Sequence, residues 1–270
     1  MRCCPMHADG AHAAAGAALR RPAAVVVAHP DDEALWLSSI VGSVDRVVFC
    51  FGEPFGKPEK AAARRRALAA LPLPGVIDLA IPESGARSAA DWAPPRATPT
   101  GIAIVDTATG ARYDANYHRL VESLRDALAG CRSVFTHNPW GEYGHAEHVQ
   151  VHRAVVALQA ELRYTVWFSN YVGKASWPLA RQLAGEPRWS ERRVLRPDRV
   201  IARRLKRVYL GHRVWTWTRA HRWPARETLY AQPPAGDRTP RQPFAGERLV
   251  DVAGLRWWSA PWRPAARALR

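Results

Sequence analysis

The chain has 270 residues, of which 47% are hydrophobic, so it is long enough to bury a substantial core in one α/β domain with an extension. Its formal net charge is +15, with 39 Lys and Arg against 24 Asp and Glu. The four Cys residues form no metal or redox pattern, and we find neither a signal peptide nor a bilayer-spanning stretch. These features argue against a disulfide-rich secreted scaffold and a transmembrane protein, and we expect a cytoplasmic location.

Short apolar strands alternate with helical stretches, which is the order typical of a parallel α/β sheet. In chain order, the predicted strands are Val25–Ala28, Arg46–Phe51, Val76–Ile81, Ser133–His137 and Tyr164–Tyr171. The predicted helices are Glu33–Val41, Lys57–Leu71, Asn116–Ala129, Ala146–Leu162 and one near Asp198–Leu210. Residues 87–112 have no clear periodicity, and we predict a long loop there that can approach a functional site.

The first motif of chemical interest is AHPDDE, residues 28–33, which directly follows three consecutive valines. The valines predict a buried strand, and Pro30 ends its regular pairing. One imidazole and two adjacent carboxylates are therefore expected at the carboxyl end of a strand, where open α/β sheets bind ligands. Imidazole and carboxylate together suit zinc-like metals. With His29 beside both Asp31 and Asp32, one acid can bind a metal while the other acts as a base.

The second motif is EYGHAEH, residues 142–148, which follows the predicted strand Ser133–His137 and opens a predicted helix. His145 and His148 are three residues apart, so on a helix they share a face, with Cβ atoms about 5–6 Å apart. The pair alone is weak evidence for a metal site, but together with AHPDDE it is strong evidence. We expect His137 to line the pocket or the core, and His152 to be a neighbour of the site rather than a fourth ligand.

Together, the two motifs resemble those of the PIG-L/LmbE-like deacetylases, over about residues 23–172. This family includes the N-acetylglucosaminyl-phosphatidylinositol de-N-acetylases and the mycothiol-pathway deacetylase. The resemblance implies a Rossmann-like α/β fold with a mostly parallel sheet flanked by helices. It also implies a single zinc ion held by two His and one Asp, and hydrolysis of an N-acetyl group from an amino sugar.

Carried over position by position, the resemblance implies that His29, Asp32 and His148 bind the metal. It implies that Asp31 is the general base, which takes a proton from the attacking water. It further implies that His145 stabilises the oxyanion or protonates the leaving amine.

Two further residues of the second motif are implied to support the site or contact the substrate. Glu147 stands where the family has an acid that orients the catalytic His, here His145. Tyr143 matches a mobile active-site Tyr that occurs in part of the family. The arginine-bearing helix of the family carries a Glu soon after its Arg, whereas this chain has three consecutive arginines at 64–66. The sequence does not single out which of them contacts substrate.

Amide hydrolysis suits these residue types independently of any family. Three protein ligands leave a coordination position open, as in catalytic zinc sites. Bound zinc lowers the pKa of water to about 7, and Fe²⁺ also suits a set of two His and one carboxylate. The reaction further needs a base, an oxyanion donor and a proton for the amine, which Asp31 and His145 can supply. A purely structural alternative is that Asp31 and Asp32 cap the helix beginning near Glu33, but this leaves His29 unexplained.

The positive charge is concentrated in the last third of the chain. Residues 1–180 hold 18 Lys and Arg against 17 Asp and Glu, whereas residues 181–270 hold 21 against 7. We therefore divide the chain into a mobile N-terminal tail (1–22), a deacetylase-like core (23–180) and a basic, Trp-rich C-terminal part (181–270) packing on that core. Most Trp residues of this part are expected to cover the core, while its Arg residues create a positive field.

The expected substrate is an N-acetylated amino sugar in a glycoconjugate or glycolipid, and the basic C-terminal part favours an anionic one. The same part suits peripheral contact with the anionic inner face of a membrane. Nucleic acid is not an expected partner, because no zinc finger, RNP-like strand or helix-turn-helix pattern accompanies the basic residues. Two alternatives remain open: an amidase acting on a larger acyl or thiol conjugate, and a non-catalytic polyanion-binding protein on the same fold.

Overall fold

The computed structural model describes residues 19–186, 188–252 and 257–258. The strands are β1 (Ala23–Val27), β2 (Arg46–Phe49), β3 (Val76–Asp78), β4 (Ala97–Thr98), β5 (Gly101–Ile102), β6 (Ser133–Thr136), β7 (Thr165–Ser169), β8 (Tyr171–Val172), β9 (Arg188–Trp189), β10 (Glu191–Leu195), β11 (Glu227–Gln232), β12 (Gln242–Pro243), β13 (Leu249–Asp251) and β14 (Trp257–Trp258). The helices are α1 (Asp32–Trp36), α2 (Pro58–Ala69), α3 (Ala86–Ala89), α4 (Thr107–Ala127), α5 (Ala146–Leu162), α6 (Trp177–Gln182) and α7 (Arg199–Gly211), with a 3₁₀ turn at Val41–Ser43.

The centre of the fold is a seven-stranded sheet in the order β10-β11-β7-β6-β1-β2-β3. The five strands from β7 to β3 are parallel, and β11 and β10 add an antiparallel edge. Strand β1 is completely buried, because helices and loops cover both faces of the sheet. Val25 and Val27 face one core cluster, and Ala24 and Val26 face the other. The predicted α/β class with a mostly parallel sheet flanked by helices is confirmed.

The chain leaves β1 in one direction to β2 and β3, and later returns to the other side of β1 to form β6 and β7. The carboxyl ends of β1 and β6 therefore flank the point where the strand order reverses. In open α/β sheets, this is the crevice in which ligands bind. The AHPDDE motif leaves β1 at this edge, and His137 leaves β6 beside it.

Several predicted elements differ from the observed ones. Helix α4 begins at Thr107 rather than Asn116, because the side chain of Asp106 accepts a hydrogen bond from the Thr109 N–H and caps it. The first residues of α4 therefore lie within the segment 87–112, which was predicted to be a loop. That segment also contains most of α3 and the small β4–β5 hairpin. The predicted strand Tyr164–Tyr171 is divided into β7 and β8, and α1 ends at Trp36.

Strands β10 and β11 were not among the predicted elements. β10 begins with three consecutive charged residues, lies at the edge of the sheet and lacks a long apolar run. Both strands come from the C-terminal part, so the sheet continues past residue 180. The domain boundary proposed at that residue stays a prediction.

Two Trp residues of the C-terminal part contact the N-terminal half of the chain. Trp223 is buried and donates a hydrogen bond from Nε1 to the Ala34 carbonyl at 2.6 Å. Trp217 packs edge-on against Trp36, with ring centroids 5.3 Å apart. The side chains of Trp257, Trp258 and Trp262 lie outside the described residues.

The predicted N-terminal tail and the four cysteines lie only partly within the described residues. Most of the predicted N-terminal tail, including Cys3 and Cys4, lies outside them. Cys50 and Cys131 are buried free thiols. Among the described helices, none combines the length and the apolar character that crossing a membrane requires.

Candidate active site

Asp31 occupies a strained position at the start of α1. Its φ is 95°, a left-handed conformation that costs a non-glycine residue on the order of 1–3 kcal/mol. Its side chain makes no cap hydrogen bond to α1. Instead, Oδ2 accepts two hydrogen bonds from Thr216, one from the N–H at 2.6 Å and one from the hydroxyl at 2.8 Å. The other oxygen, Oδ1, is buried and has no hydrogen-bond partner among the described residues. Helix capping therefore does not account for Asp31.

Asp32 lies between the two histidines with which it was predicted to bind a metal. Its Oδ2 is 3.3 Å from His29 Nδ1 and 3.2 Å from His148 Nε2. The same oxygen accepts a hydrogen bond from the His29 N–H at 2.8 Å, and Oδ1 accepts one from Trp36 Nε1 at 3.0 Å. All three predicted ligands are buried. The fold thus brings them together from two motifs that are more than 100 residues apart.

Two glutamates hold the far nitrogens of these histidines. Glu147 Oε2 lies 2.9 Å from His29 Nε2, and Glu142 Oε2 lies 2.7 Å from His148 Nδ1. A carboxylate on one ring nitrogen fixes the tautomer and leaves the other nitrogen available to a metal. Both free nitrogens, His29 Nδ1 and His148 Nε2, face Asp32.

A buried nitrogen supports the fit of a cation at this position. His148 Nε2 has no hydrogen-bond partner in the described part of the chain, although it lies 3.2 Å from a carboxylate oxygen. A buried polar atom without a partner is costly, and a metal ion shared by imidazole and carboxylate removes that cost. Two imidazoles and one carboxylate form a donor set suited to Zn²⁺ or Fe²⁺.

The ligand-type side chains in fact form two overlapping groups, whose donor atoms lie within 4.8 Å of one another. One group is His29, His145 and His148, and the other is Asp32, His137 and His148. The hydrogen bonds of His137 argue against it as a ligand. Its Nε2 accepts from the Ala28 N–H at 2.8 Å, and its Nδ1 bonds Glu142 at 3.0 Å, so both nitrogens are engaged.

His145 stacks beside the cluster. Its ring is parallel to that of His148 at a centroid distance of 4.8 Å. His145 Nδ1 accepts a hydrogen bond from the Glu147 N–H at 3.3 Å, so the proton of the neutral ring lies on Nε2. Burial and the charges of His29 and His148 lower the pKa of His145 well below its usual range. A neutral ring with Nε2–H suits a hydrogen-bond donor better than a strong acid.

The structure corrects the expected contact of Glu147. Its carboxylate does not face His145 but bonds His29, and its Oε1 accepts bonds from the Ser84 N–H and hydroxyl, both at 2.7 Å. His145 is the N-cap of α5 and Glu147 lies two positions later; residues at this spacing do not face each other, so their side chains do not pair.

Tyr143 lies at the cavity wall, as its predicted position near the site requires. Its ring is 4.9 Å from that of Trp217 and 5.3 Å from that of His148. Burial and the charge of Asp32 raise the pKa of its hydroxyl well above the usual range. His152 belongs to neither group of ligand-type side chains, and its Nδ1 donates to the His137 carbonyl at 2.8 Å.

The buried charges perturb one another in opposite directions. Burial and the charge of Asp32 raise the pKa of Asp31 to about 7, even though the Thr216 bonds oppose the shift. The carboxylates of Asp32 and Glu147 outweigh burial and raise the pKa of His29 to about 10 in the metal-free protein. The neighbouring histidines hold the pKa of Asp32 well below its usual range despite burial. A carboxylate with a pKa near 7 suits a general base at neutral pH.

The buried side chains of His29, Asp31, Asp32 and His145 form the floor of a cavity of about 390 Å³. Its walls come from the loop before α2, from α3 and from the segment after α7. Of the three consecutive arginines, only Arg64 lines this cavity. Its Nη1 bonds Glu83 Oε1 at 2.7 Å and the Phe51 carbonyl at 3.1 Å, so its charge is already paired.

Sequence reasoning missed three residues that shape the site. Glu142 is part of the second motif, and its place six residues before His148 was the available signal. Glu83 pairs with Arg64 and lies 3.8 Å from His29 Nε2. Thr216 holds Asp31 from a distant part of the chain, and nothing in the sequence connects the two.

Comparison with known proteins reveals similarity of fold. No protein-family model matches the chain, and no curated protein sequence does. The zinc-inhibited form of teicoplanin deacetylase Orf2 is 14% identical, with a TM-score of 0.50, and the match covers 77% of this chain and 97% of that one. The A40926 pseudoaglycone deacetylase Dbv21 is 15% identical, with a TM-score of 0.45, covering 84% of this chain and 100% of that one. The fold comparison rests on the first: this chain shares the fold of teicoplanin deacetylase.

Proposed function

We propose that this protein is a metal-dependent hydrolase that removes the N-acetyl group from an N-acetylated amino sugar. One observation carries the proposal. Asp31 is buried beside the His29, Asp32 and His148 cluster, with one carboxylate oxygen held by Thr216 and the other without a partner among the described residues. A strained, oriented carboxylate with a free oxygen at the floor of a cavity is suited to proton transfer.

His29, Asp32 and His148 would hold the metal, with Glu147 and Glu142 orienting the two imidazoles. When bound, the metal would supply Lewis acidity for the amide carbonyl and lower the pKa of water. Zn²⁺ and Fe²⁺ both suit this donor set. Teicoplanin deacetylase, which has the same fold, is described in a zinc-inhibited form, so we assign neither Zn²⁺ nor Fe²⁺ as the native metal.

The remaining residues of the chain would move protons and stabilise charge. Asp31 Oδ1 takes a proton from the attacking water as oxygen adds to the amide carbon. His145 donates from Nε2 to the developing oxyanion. The proton held by Asp31 then passes to the departing nitrogen, and the C–N bond breaks. The second proton of the water leaves the new carboxyl group and is taken up by the amine. The products are therefore acetate and a protonated amine, so atoms and charge balance.

The proposed reaction type, deacetylation, is carried over from a neighbour of the same fold. Teicoplanin deacetylase is named for the removal of an acetyl group, and the two motifs of this chain resemble those of sugar N-deacetylases. The group attached to the amino sugar is not carried over from this neighbour. A cytoplasmic location and contact with an anionic membrane face are also part of the proposal, supported by the scattered cysteines and the basic C-terminal part.

The proposal is tested by measuring bound metal and acetate release with N-acetylglucosamine conjugates, for wild type and Asp31→Asn. We expect Asp31→Asn to retain the metal and to lose activity by at least about 100-fold, the scale of general-base catalysis. His148→Ala should lose both metal and activity. Wild-type turnover by a metal-loaded Asp31→Asn variant would refute the assigned base.

The same assay separates the two alternative functions. Cleavage of longer acyl amides without acetate release from acetylated sugars would favour the amidase. Binding of anionic glycans with no amide cleaved by metal-loaded wild type would favour a non-catalytic protein.

A further inference from the structure

The mouth of the active-site cavity carries four exposed basic side chains from three separate segments. Lys57 and Lys60 lie at the start of α2, Arg87 lies in α3, and Arg213 follows α7. Arg213 has a φ of 59°, a left-handed conformation that is unfavourable for a non-glycine residue. Separate parts of the chain thus converge to place positive charge around one opening.

These four cations are not neutralised by the described part of the protein. No Asp or Glu oxygen there lies within 4.0 Å of their charged atoms, so none of the four makes an ion pair. The acids of the same cavity are already engaged. Glu83 pairs with Arg64, and Asp31 accepts both bonds from Thr216. The cavity therefore has acids at its floor, where Asp31 Oδ1 is left free for proton transfer, and a mouth of basic side chains that form no ion pair with the described residues.

Like charges gathered at one opening repel each other, and an anion bound among them removes that repulsion. The cavity volume of about 390 Å³ falls within the range of small-molecule sites, about 300–1,000 Å³. It thus suits a sugar whose amide reaches the floor while a substituent stays at the mouth.

We propose that Lys57, Lys60, Arg87 and Arg213 form a subsite for an anionic group, a phosphate or a carboxylate, attached to the N-acetylated sugar. The preferred substrate is then an acidic amino-sugar conjugate rather than a neutral one. This inference rests on the proposed function. From the sequence alone, the preference for an anionic substrate is attributed to the basic C-terminal part. The subsite instead places it mainly in the nearly neutral first 180 residues, which supply three of the four cations, whereas the C-terminal part supplies only Arg213.

The test compares three probes: N-acetylglucosamine, N-acetylglucosamine 1-phosphate and N-acetylmuramic acid, whose acidic group is a carboxylate. Lys60→Glu is measured beside Arg66→Glu, its matched control. Both positions are exposed on α2 and both variants change the net charge by the same amount, but Arg66 does not line the cavity. We expect Lys60→Glu to raise KM for the acidic sugars by about fivefold to tenfold. KM for the neutral sugar, and every constant of Arg66→Glu, should stay within about twofold of wild type.

Ionic strength gives a second readout that folding differences do not imitate. KM for the two acidic sugars should rise with added NaCl, while KM for N-acetylglucosamine stays flat. A response to the phosphate sugar alone, or to the carboxylate sugar alone, identifies which anion the subsite takes. If the three sugars have equal KM values and Lys60→Glu behaves like Arg66→Glu, the subsite is refuted and the deacetylase proposal stands.

Binding is also measured without turnover, by calorimetry of N-acetylglucosamine 1-phosphate and inorganic phosphate on the Asp31→Asn protein. If no amide is cleaved by wild type but the phosphate sugar binds, and Lys60→Glu added to Asp31→Asn weakens that binding, the proposed function fails and the anion subsite stands. Absence of binding in this assay, together with equal turnover of all three sugars, overturns the subsite.

Discussion

Thr216 donates two hydrogen bonds to a single carboxylate oxygen of Asp31, although the two residues are 185 positions apart. The segment that carries Thr216 is itself fastened to α7. Lys206 Nζ lies 5.0 Å from the centre of the Trp215 ring and donates a hydrogen bond to the Arg219 carbonyl at 2.7 Å. The orientation of the proposed base therefore depends on the C-terminal part of the chain.

Thr216→Val removes the hydroxyl that holds Asp31 but keeps the backbone N–H. A hydrogen bond to a charged group contributes about 1.5–3 kcal/mol, so we expect kcat for acetate release to fall roughly tenfold or more. Thr216→Ser keeps the hydroxyl and should stay close to wild type. Steady-state kinetics at saturating substrate measure this difference, with thermal unfolding as a check on folding. Equal kcat values for Thr216→Val and Thr216→Ser would show that the hydroxyl does not position the base.

Glu142→Gln weakens the support of both His137 and His148. The carboxylate accepts from the two rings at 3.0 and 2.7 Å, and these histidines hold its pKa at about 2 despite burial. A neutral amide cannot accept strongly from both, so metal affinity should fall by about 10–100-fold. Competition with a chelator measures the affinity. The matched control is Glu122→Gln, an exposed position on α4 that should leave the affinity unchanged. An unaltered affinity in Glu142→Gln would contradict the assignment of His148 as a ligand.

Removal of the metal should destabilise the protein. A ligand that binds only the folded state stabilises it by about 2.7 kcal/mol at 100 times its Kd. We therefore expect a lower Tm in chelator than in excess Zn²⁺, measured by calorimetry. Because the pKa of His29 is raised to about 10 in the metal-free protein, the metal displaces a proton, and its affinity should increase with pH. His148→Ala should lose this Tm difference, and an identical difference in that variant would place the metal elsewhere.

Glu227 should make stability depend on pH. Burial raises the pKa of this carboxyl above its ordinary value of 4.5, although the Ser39 N–H and the Tyr171 hydroxyl donate to it at 3.0 and 2.8 Å. The folded state thus binds the proton more tightly than the unfolded state does. Protonation of Glu227 therefore stabilises the folded state. This stabilisation is complete below the pKa of the group in the unfolded state and is lost as the pH rises through its pKa in the folded state.

Glu227→Gln removes that titration. The free energy of unfolding of the variant, relative to wild type, should therefore increase as the pH rises above about 4.5, the ordinary pKa of the group. Urea unfolding at a series of pH values measures this change, and Glu122→Gln should show no such trend. A difference between Glu227→Gln and wild type that is independent of pH would mean that Glu227 does not titrate in this window.

Where local signals are strong, sequence and structure agree closely. Helix α5 spans Ala146–Leu162 as predicted, because its apolar stripe is continuous and both ends have clear local geometry. The histidines and acids of both motifs also lie together as predicted, since the carboxyl ends of parallel strands meet at one edge of the sheet. The edge strand β10 was not predicted, because its sequence has no long apolar run. In the structure it forms through antiparallel backbone pairing with β11.

The sequence by itself determined the α/β class, the two motifs and the candidate metal-binding residues, because strand periodicity and motif spacing are local properties. Only the tertiary structure decided that Glu147 supports His29 rather than His145, and that Thr216 holds Asp31. It also decided that the cations at the cavity mouth come mainly from outside the basic C-terminal part. These relations depend on side-chain directions and on contacts between distant segments, which residue order alone does not specify.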